Sequence, residues 1–478
     1  MVESRWLPAT NSLQMKSIVI PITFLLLVCH SQAVLAKPMN VMLIVCDDLN
    51  TQVSTSGYPH ISTPAFDKLA HGGMRFNRTY CQYPVCGPSR ASFLSGLYPQ
   101  STGVLDNTAD LRETRPGTMV LPQNFKEAGY WTGGVGKIFH NKKVNPNDTS
   151  WNTFVRFDND PLPQNITGRG TTQRRDQTPP GYGPSGLRDD QHKDGKNARQ
   201  IVSWLEDDVA GGKPFFMACG IQKPHVPFLA PDKYFDMYPR EDLVYSPAPT
   251  DFWDQAPASA MVKRYKAFGF ELGVEDDALR REYIQAYHAC ISFIDAQIGL
   301  VLDALESTGH WEDTIVILTS DHGYQLGEHF MWGKVTLFEV CARVPLVIRV
   351  PGMTTPGSTT EGLVELIDLY PTLTELCDVS PPPNLQGRSL VPTLHDASTP
   401  GKETAYTVVS RRDQLGKAIR TDRFRYARWP DGEELYDLKN DPAEYDNLAN
   451  VDGFAVTLST MRNRLAKIDA IAQAKRSP

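Results

Sequence analysis

NVMLIVCDD, residues 40–48, is an apolar run of mostly aliphatic residues that ends in two aspartates. Three further runs share its character: FFMACGI (215–221), TIVILTSDHG (314–323) and PLVIRVP (345–351). Continuous rather than alternating hydrophobicity is typical of strands that are buried on both faces. The four runs therefore predict the central strands of a mostly parallel sheet.

Helical patterns separate these strands. Thr63 and Pro64 form a helix start with a cap and an N1 proline, and Gly72 ends that helix. A longer helix is predicted from about Asp277 to Thr308, because apolar residues recur there at helical spacing. Alternating strands and helices predict an α/β fold, in which ligands bind at the carboxyl ends of the strands.

The N-terminus has the pattern of a secretory signal peptide. An apolar run at 18–29 follows Lys16, and Val34-Leu35-Ala36 is a small-residue cleavage site. Residues 1–36 are therefore predicted to be removed, and the protein is expected to be secreted or periplasmic, or lysosomal in a eukaryote. No later stretch reaches the roughly 18–20 apolar residues of a membrane span. We expect no membrane span in the mature chain.

The charge balance limits the partners that the chain can bind. The formal net charge is −7, and removal of the signal peptide makes it one unit more negative. Such a chain has no general affinity for nucleic acid or for other polyanions. An anionic ligand must then be held by a local basic pocket.

The cysteines do not form a dense disulfide pattern. One of the eight, Cys29, lies in the signal peptide, and the others are scattered and mostly flanked by apolar residues. They are expected to be mostly buried thiols, with room for one bridge.

The mature chain is predicted to have two parts. Residues 37–380 form the catalytic domain, within which the polar, Gly- and Pro-rich stretch 141–192 is expected to run over the surface. SPPPN, at 380–384, is typical of a linker. Residues 381–478 carry alternating and turn-rich patterns that predict a smaller antiparallel subdomain.

Acidic residues end two of the predicted strands. Asp47 and Asp48 follow the first run, and Asp321 and His322 follow the third. Three carboxylates at one sheet edge would repel one another unless a cation lay between them. Oxygen-rich ligation favours Ca²⁺ or Mg²⁺ over zinc, although the histidine leaves the identity of the metal open.

Basic side chains accompany these acids. They are Arg90, Lys137, His140, His225 and Lys334. Each is ordinary alone, but His225 and Lys334 follow soon after strand runs that end near the acids. A metal together with several cations describes a pocket for a tetrahedral oxyanion. The ligand is therefore expected to be a phosphate or a sulfate ester.

CGPSRASFLSG, at 86–96, resembles the signature of the type I sulfatase family, in which the cysteine is oxidised to Cα-formylglycine by a maturation enzyme. VGKIFH (135–140), KPHVPF (223–228), SDHGYQLGEH (320–329) and His322 make the chain most similar to the iduronate-2-sulfatase branch. The resemblance implies an alkaline-phosphatase-like α/β/α sandwich. It also implies one Ca²⁺ held by the four residues at the strand ends and by the modified Cys86.

The resemblance further implies a mechanism. One hydroxyl of the aldehyde hydrate attacks sulfur, and the second hydroxyl then allows sulfate to leave without attack by water. Lys137, Lys334 and Arg90 are expected to stabilise the developing charge, His140 to act as base, and His225 to act as acid for the leaving alcohol, assisted by Lys334.

The expected substrate is a sulfated carbohydrate, desulfated at a chain end. Three alternatives remain open at this stage. They are a phosphodiesterase or phosphonate hydrolase of the same superfamily, a sulfatase retargeted to another sulfated polysaccharide, and a silent glycan-binding protein. The last would need a broken metal or cysteine site, and every expected position is filled.

Overall fold

Strands and helices alternate along most of the chain. The structure, a computed structural model, describes residues 38–140, 149–161, 181–245, 247–261, 276–412 and 414–473. The strands are β1 (Asn40–Asp47), β2 (Met74–Tyr80), β3 (Trp131–Gly136), β4 (Thr153–Val155), β5 (Tyr182–Pro184), β6 (Phe215–Pro224), β7 (Phe228–Ala230), β8 (Thr314–Ser320), β9 (Gln325–Leu326), β10 (Trp332–Gly333), β11 (Arg343–Val344), β12 (Leu346–Arg349), β13 (Ser358–Glu365), β14 (Ala405–Arg411), β15 (Gln414–Arg420), β16 (Phe424–Trp429) and β17 (Gly432–Asp437). The α-helices are α1 (Pro64–Gly72), α2 (Cys86–Ser95), α3 (Pro99–Thr102), α4 (Leu111–Thr114), α5 (Leu121–Glu127), α6 (Lys193–Glu206), α7 (Asp232–Phe235), α8 (Phe252–Gln255), α9 (Asp277–Ser307), α10 (Glu339–Ala342), α11 (Leu369–Leu376), α12 (Val391–His395) and α13 (Ala455–Gln473).

The central sheet is mixed and mostly parallel. Within the described residues its order is β11–β2–β12–β8–β1–β6–β3–β4, and β13 also pairs with β2. β1 runs parallel to its neighbours β8 and β6, and β3 and β4 continue in the same direction. β12 is antiparallel to both of its neighbours. All four apolar runs thus form strands of this sheet, and the last of them is reversed.

Side chains of β1 alternate between two hydrophobic cores, one on each face of the sheet. Met42 and Ile44 face the core that the sheet forms with α1, α6 and α9. Val41 and Leu43 face the core formed with α2, α5 and α11. Helices therefore cover both faces, and the predicted α/β/α architecture is confirmed.

Truncation of a β1 side chain tests this central placement. Ile44 has no exposed surface and lies between Cys219 of β6 and Leu318 of β8. We expect Ile44→Ala to lower the free energy of unfolding by about 2–5 kcal/mol, because closely packed strands cannot close the cavity. Ile471, on α13, is 52% exposed, and Ile471→Ala should change the free energy by less than about 0.5 kcal/mol. Urea unfolding measures both, and equal losses would contradict the placement.

The long helix α9 is a core helix. It matches the predicted helix and ends one residue earlier, and the carboxylate of Asp276 caps its start by accepting the N–H of Leu279 at 3.0 Å. Among the described helices it alone is long and apolar enough to cross a membrane, but 78% of its most apolar window is buried inside the protein. Its apolar surface is thus used in packing.

A separate antiparallel sheet lies near the C-terminus. β14, β15, β16 and β17 follow one another in order, and α13 packs against them through Leu458, Met461 and Leu465. The predicted antiparallel character of this region is confirmed. Its boundary at residue 381 stays a prediction.

Three strands lack a clear sequence signal: β3 and β4 of the central sheet, and β5, which pairs with β7 in a separate two-stranded sheet. β3, WTGGVG, is rich in glycine because neighbouring aromatic rings fill the space of its side chains. A Cβ at Gly133 would lie 2.4 Å from the Trp131 ring, and one at Gly134 would lie 2.7 Å from the Phe154 ring.

Stretch 141–192, expected to be a surface loop, contributes the short strands β4 and β5, which at three residues each show no periodicity. Residues 141–148 and 162–180 lie outside the described residues.

The cysteines after the signal peptide are all buried thiols. The expectation of buried thiols is confirmed, and these seven residues form no bridge. The signal peptide predicted at 1–36 lies outside the described residues and remains a prediction.

Candidate active site

The carboxyl edge of the central sheet collects the predicted site residues. β1 ends at Asp47, and its parallel neighbour β8 ends just before Asp321. On the other side of β1, β6 leads into His225 and β3 leads into Lys137. Four adjacent parallel strands therefore deliver the acids and the cations to one place.

Asp48 has an unusual backbone conformation at the bend after β1. Its φ is 65°, in the left-handed region that residues other than glycine seldom adopt. The Tyr287 hydroxyl, on α9, donates to the Asp48 carbonyl oxygen at 2.6 Å and accepts from the N–H of Asn50 at 2.9 Å. Tyr287 thus fixes the bend. The sequence alone gives no signal for Tyr287.

Cys86 is the first residue of α2 and is fully buried. Its Sγ lies 3.2 Å from Lys334 Nζ and 3.4 Å from His322 Nε2. Burial alone would raise the pKa of this thiol, but Lys137, Lys334, His322 and a hydrogen bond with His140 hold the pKa well below its usual value. Such a microenvironment is typical of a reactive cysteine.

The other six described cysteines behave in the opposite way. Burial raises the pKa of every one of them. Cys86 is therefore set apart by its charged surroundings and not by its burial.

The glycine after Cys86 is explained by a close backbone approach. The N–H of Gly87 donates to Asn107 Oδ1 at 2.8 Å, and a Cβ at this position would lie 2.8 Å from the same oxygen. Asn107 thus packs against the first turn of α2. The sequence gives no signal for this asparagine, which lies in a loop 20 residues away.

Ser89 and Arg90 tie α2 to the end of β8. Ser89 Oγ donates to the Asp321 carbonyl oxygen at 2.5 Å, and Arg90 Nε donates to Asp321 Oδ2 at 2.8 Å. The terminal nitrogens of Arg90 donate to three backbone carbonyl oxygens at the ends of β1 and β3. The fully buried guanidinium of Arg90 therefore bonds to the Asp321 carboxylate and to backbone carbonyl oxygens.

Side chains at the strand ends form a group that can hold a metal ion. The donor atoms of Asp47, Cys86, Asp321 and His322 all lie within 4.8 Å of one another. His322 Nδ1 is 2.9 Å from the Gly323 carbonyl oxygen, so a proton on Nδ1 leaves the Nε2 lone pair facing the group. Asp48, Cys86 and His225 form a second, overlapping group. The predicted metal ligands are thus brought together.

Charge at this group is only partly compensated. Lys137 Nζ donates to Asp47 Oδ2, and Lys334 Nζ donates to Asp48 Oδ1 at 2.5 Å. Asp47 Oδ1 and Asp48 Oδ2 are buried and have no hydrogen-bond partner among the residues that the structure describes. A buried carboxylate oxygen without a partner is costly. These two oxygens therefore fit a bound cation.

The pKa values of the group agree with this fit. Burial raises the pKa of Asp321 to about 6, although the charge of Arg90 opposes the shift. Burial alone would lower the pKa of His322, but the charge of Asp321 raises it to about 9. The carboxylates thus stabilise a positive charge placed between them.

Both predicted catalytic histidines face the same pocket. His225 Nδ1 lies 2.7 Å from the Val226 carbonyl oxygen, and its Nε2 lies 3.9 Å from Asp48 Oδ2. The imidazole of His140 is hydrogen-bonded to Cys86, and burial lowers its pKa. Its Nδ1 is buried and has no partner in the described part of the chain. A neutral histidine near a reactive group and a second one at the rim suit proton transfer.

Comparison with known proteins decides which chemistry this pocket belongs to. Residues 39–379 match the family model described as Sulfatase. The chain belongs to the sulfatase family. Residues 327–471 also match the model described as N-sulphoglucosamine sulphohydrolase, C-terminal. The resemblance carried by CGPSRASFLSG is confirmed, and this sulfatase is a sulfuric ester hydrolase.

Individual relatives support the same assignment. The sulfatase is 33% identical over 453 residues to a sulfatase of Formosa agariphila, covering 91% of this chain and 87% of that one. It is 31% identical over 401 residues to the iduronate 2-sulfatase of Mus musculus, covering 75% and 71%. The crystal structure of the phosphonate monoester hydrolase of Agrobacterium radiobacter matches with a TM-score of 0.76 and 25% identity, covering 91% and 96%. The alkaline-phosphatase-like fold is confirmed.

Proposed function

We propose that this sulfatase removes sulfate from a sulfated sugar, with Cys86 converted to Cα-formylglycine and Ca²⁺ bound beside it. The observation that supports this most is the position of Cys86. Its side chain is fully buried where the carboxylates, the lysines and the two histidines meet. A cysteine kept only for packing would need none of these charged neighbours.

The proposed Ca²⁺ ligands are Asp47, Asp48, Asp321, His322 and the modified Cys86. The two unpartnered carboxylate oxygens and the oxygen-rich donor set fit this ion. When bound, Ca²⁺ supplies positive charge that polarises the sulfate group and lowers the pKa of a neighbouring hydroxyl. The aldehyde hydrate supplies one hydroxyl to take the sulfate group and a second that permits its release.

The lysines and Arg90 have different proposed tasks. Lys137 and Lys334 each bond to one aspartate, and Lys334 also reaches Cys86, so we assign them to the sulfate oxygens. Arg90 is fully engaged with Asp321 and backbone carbonyls. We therefore assign it to positioning Asp321 rather than to contact with substrate.

The two histidines are proposed to move protons. His140, which borders Cys86, acts as the base that removes the proton of the second hydroxyl. His225, held through its Nδ1 at the mouth of the pocket, donates a proton to the leaving alcohol.

The proposed substrate is a sugar desulfated at a chain end, of the kind that an iduronate 2-sulfatase acts on. The 31% identity to that enzyme of Mus musculus supports this choice. The same scaffold retargeted to another sulfated polysaccharide is the first alternative. The similarity to a phosphonate monoester hydrolase supports a second one.

A matched panel of esters separates these functions. It comprises a 2-O-sulfated uronic acid at a non-reducing end, galactose and N-acetylglucosamine sulfates, and a phenyl phosphonate monoester. We expect the highest kcat/KM for the uronic acid. A tenfold preference for a neutral sugar sulfate, about 1.4 kcal/mol in transition-state binding, would refute the iduronate assignment alone. A higher kcat/KM for the phosphonate would refute the proposed function.

The loss of activity on removing the proposed acid, His225, should depend on the leaving group of the substrate. We expect His225→Ala to lower kcat for sugar sulfates by about 10²–10⁴-fold, because their alkoxides need a proton to leave. Nitrophenyl sulfate should lose far less, since its phenolate leaves unprotonated. His395→Ala, an exposed site on α12, is the control. Equal losses on both substrate classes would contradict the role of His225.

A further inference from the structure

Two cations beside the pocket have no role in the chemistry described above. Arg156 directly follows β4, and β4 pairs in parallel with β3 so that Val155 lies opposite Val135. Arg156 is therefore at the same sheet edge as Lys137, which follows β3. Lys193 is the first residue of α6. Burial lowers its pKa, and the charges of Arg156 and Lys137 lower it further, while the charges of Asp194 and Asp160 oppose the shift.

Lys193 is joined to the turn that carries His225. Its Nζ donates to Gln222 Oε1 at 2.9 Å and to Asn159 Oδ1 at 3.2 Å. The carbonyl oxygen of Gln222 in turn accepts the N–H of His225 at 3.0 Å. The ammonium group, on a side chain that is largely buried, is thus joined through Gln222 to the backbone of His225, and its hydrogen-bond partners among the described residues are neutral.

The positive charge of the Arg156 guanidinium has still fewer partners among the described residues. Within the described residues its guanidinium forms no ion pair and no hydrogen bond, and its Nη1 is buried. Burial lowers the pKa of Arg156, and no neighbouring carboxylate opposes the shift. A buried N–H of a charged group without a partner costs more than a neutral one. An anion at this place would remove that cost.

The two carboxylates whose charges act on Lys193 have other hydrogen-bond partners. Asp194 accepts two backbone N–H groups at the end of β6, at 2.7 and 2.8 Å. Asp160 bonds to the ring of His192 at 2.8 Å and accepts the N–H of Lys193 at 2.6 Å. Both acids affect the pKa of Lys193 from a distance, but neither forms an ion pair with its ammonium group. Within the part of the chain that the structure describes, neither cation therefore forms an ion pair.

We propose that Arg156 and Lys193 bind a second anionic group of the substrate. This group is a carboxylate or a second sulfate on the sugar whose sulfate ester lies against Cys86. The inference rests on the proposed function and narrows it to sugars that carry two anionic groups. The planar guanidinium can grip either group with two parallel hydrogen bonds, and the lysine adds a point charge.

Two pairs of substrates isolate this contact. One pair is glucosamine 6-sulfate with and without an N-sulfate, and the other is a 2-O-sulfated uronic acid and its carboxyl-reduced form. We expect Arg156→Gln and Lys193→Gln each to lower the preference for the doubly charged member, measured as a ratio of kcat/KM, by about ten- to hundredfold. The substrate pair whose kcat/KM ratio changes shows whether the two cations bind a carboxylate or a sulfate.

The matched control is Arg188→Gln. Arg188 is exposed and paired with Asp190 at 3.0 Å, so its loss should change the ratio by less than about twofold. Arg156→Lys should retain part of the preference. Calorimetric binding of the same sugars to Cys86→Ala, with and without Arg156→Gln, should show the same loss without any turnover.

Two results would overturn the inference. One is an unchanged ratio in both pairs, and the other is an equal loss on both members of a pair. Either result leaves the proposed function standing. If the protein without any substitution cleaved no sulfate ester, that result would instead contradict the proposed function. The binding measurement would then still decide the role of Arg156.

Discussion

Cys86→Ala is expected to lower kcat for sulfate esters by about 10⁴-fold or more, the loss typical of removing a nucleophile. The reason is that alanine can be neither oxidised nor hydrated, so no group remains in the pocket to take the sulfate. The thiol lies within 3.5 Å of Lys334 and His322, and no other described cysteine has such neighbours. Steady-state kinetics on one sugar sulfate and one aryl sulfate measures the loss.

A matched cysteine controls for loss of packing. Cys377 is also buried, at 8% exposure, and its thiol bonds to a backbone carbonyl oxygen and to the uncharged side chain of Tyr130. Cys377→Ala should keep kcat within about tenfold, because a small buried thiol contributes mainly to packing. Comparable losses in both variants would mean that Cys86 matters for folding alone.

Asp321→Asn is expected to abolish metal binding and turnover together. The substitution keeps the shape of the side chain but removes the charge that Arg90 and His322 face. Loss of an outer partner of a metal ligand already costs about 10–100-fold in affinity, so loss of a ligand should exceed 100-fold. Metal analysis of the purified protein and Ca²⁺ titration measure the change.

The control for this variant is Asp303→Asn. Asp303 is 68% exposed and pairs with Lys68 at 2.7 Å on the surface. It should keep both metal content and activity, since exposed ion pairs contribute little. A fully active Asp321→Asn enzyme with unchanged metal content would show that the metal site is elsewhere.

The sequence predicts those parts of the site that depend on local patterns. An apolar run followed by acids identifies a strand end, so Asp47, Asp48 and Asp321 could be assigned without a structure. The Cys-x-Pro-Ser-Arg motif likewise identifies Cys86 and Arg90. Parallel neighbours then bring all of them to one edge, as expected.

Other parts depend on contacts that no local pattern encodes. Tyr287 bonds to Asp48 from 239 residues away, and nothing around it in the sequence marks that contact. β3 shows no clear pattern because its glycines make room for aromatic rings, that of Trp131 in the same strand and those of Trp204 and Phe154 in neighbouring elements. Arg156 becomes informative only in the folded protein, where no carboxylate of the described residues pairs with it.

The peptide between Arg78 and Arg90, released by trypsin from an active preparation, provides the most direct test of the account. It contains both Cys81 and Cys86, so one mass spectrum compares the two. The account predicts an aldehyde at Cys86, an unmodified thiol at Cys81, and a fraction of aldehyde that rises in proportion to kcat between preparations. A fully active preparation with an unmodified thiol at Cys86 would contradict it.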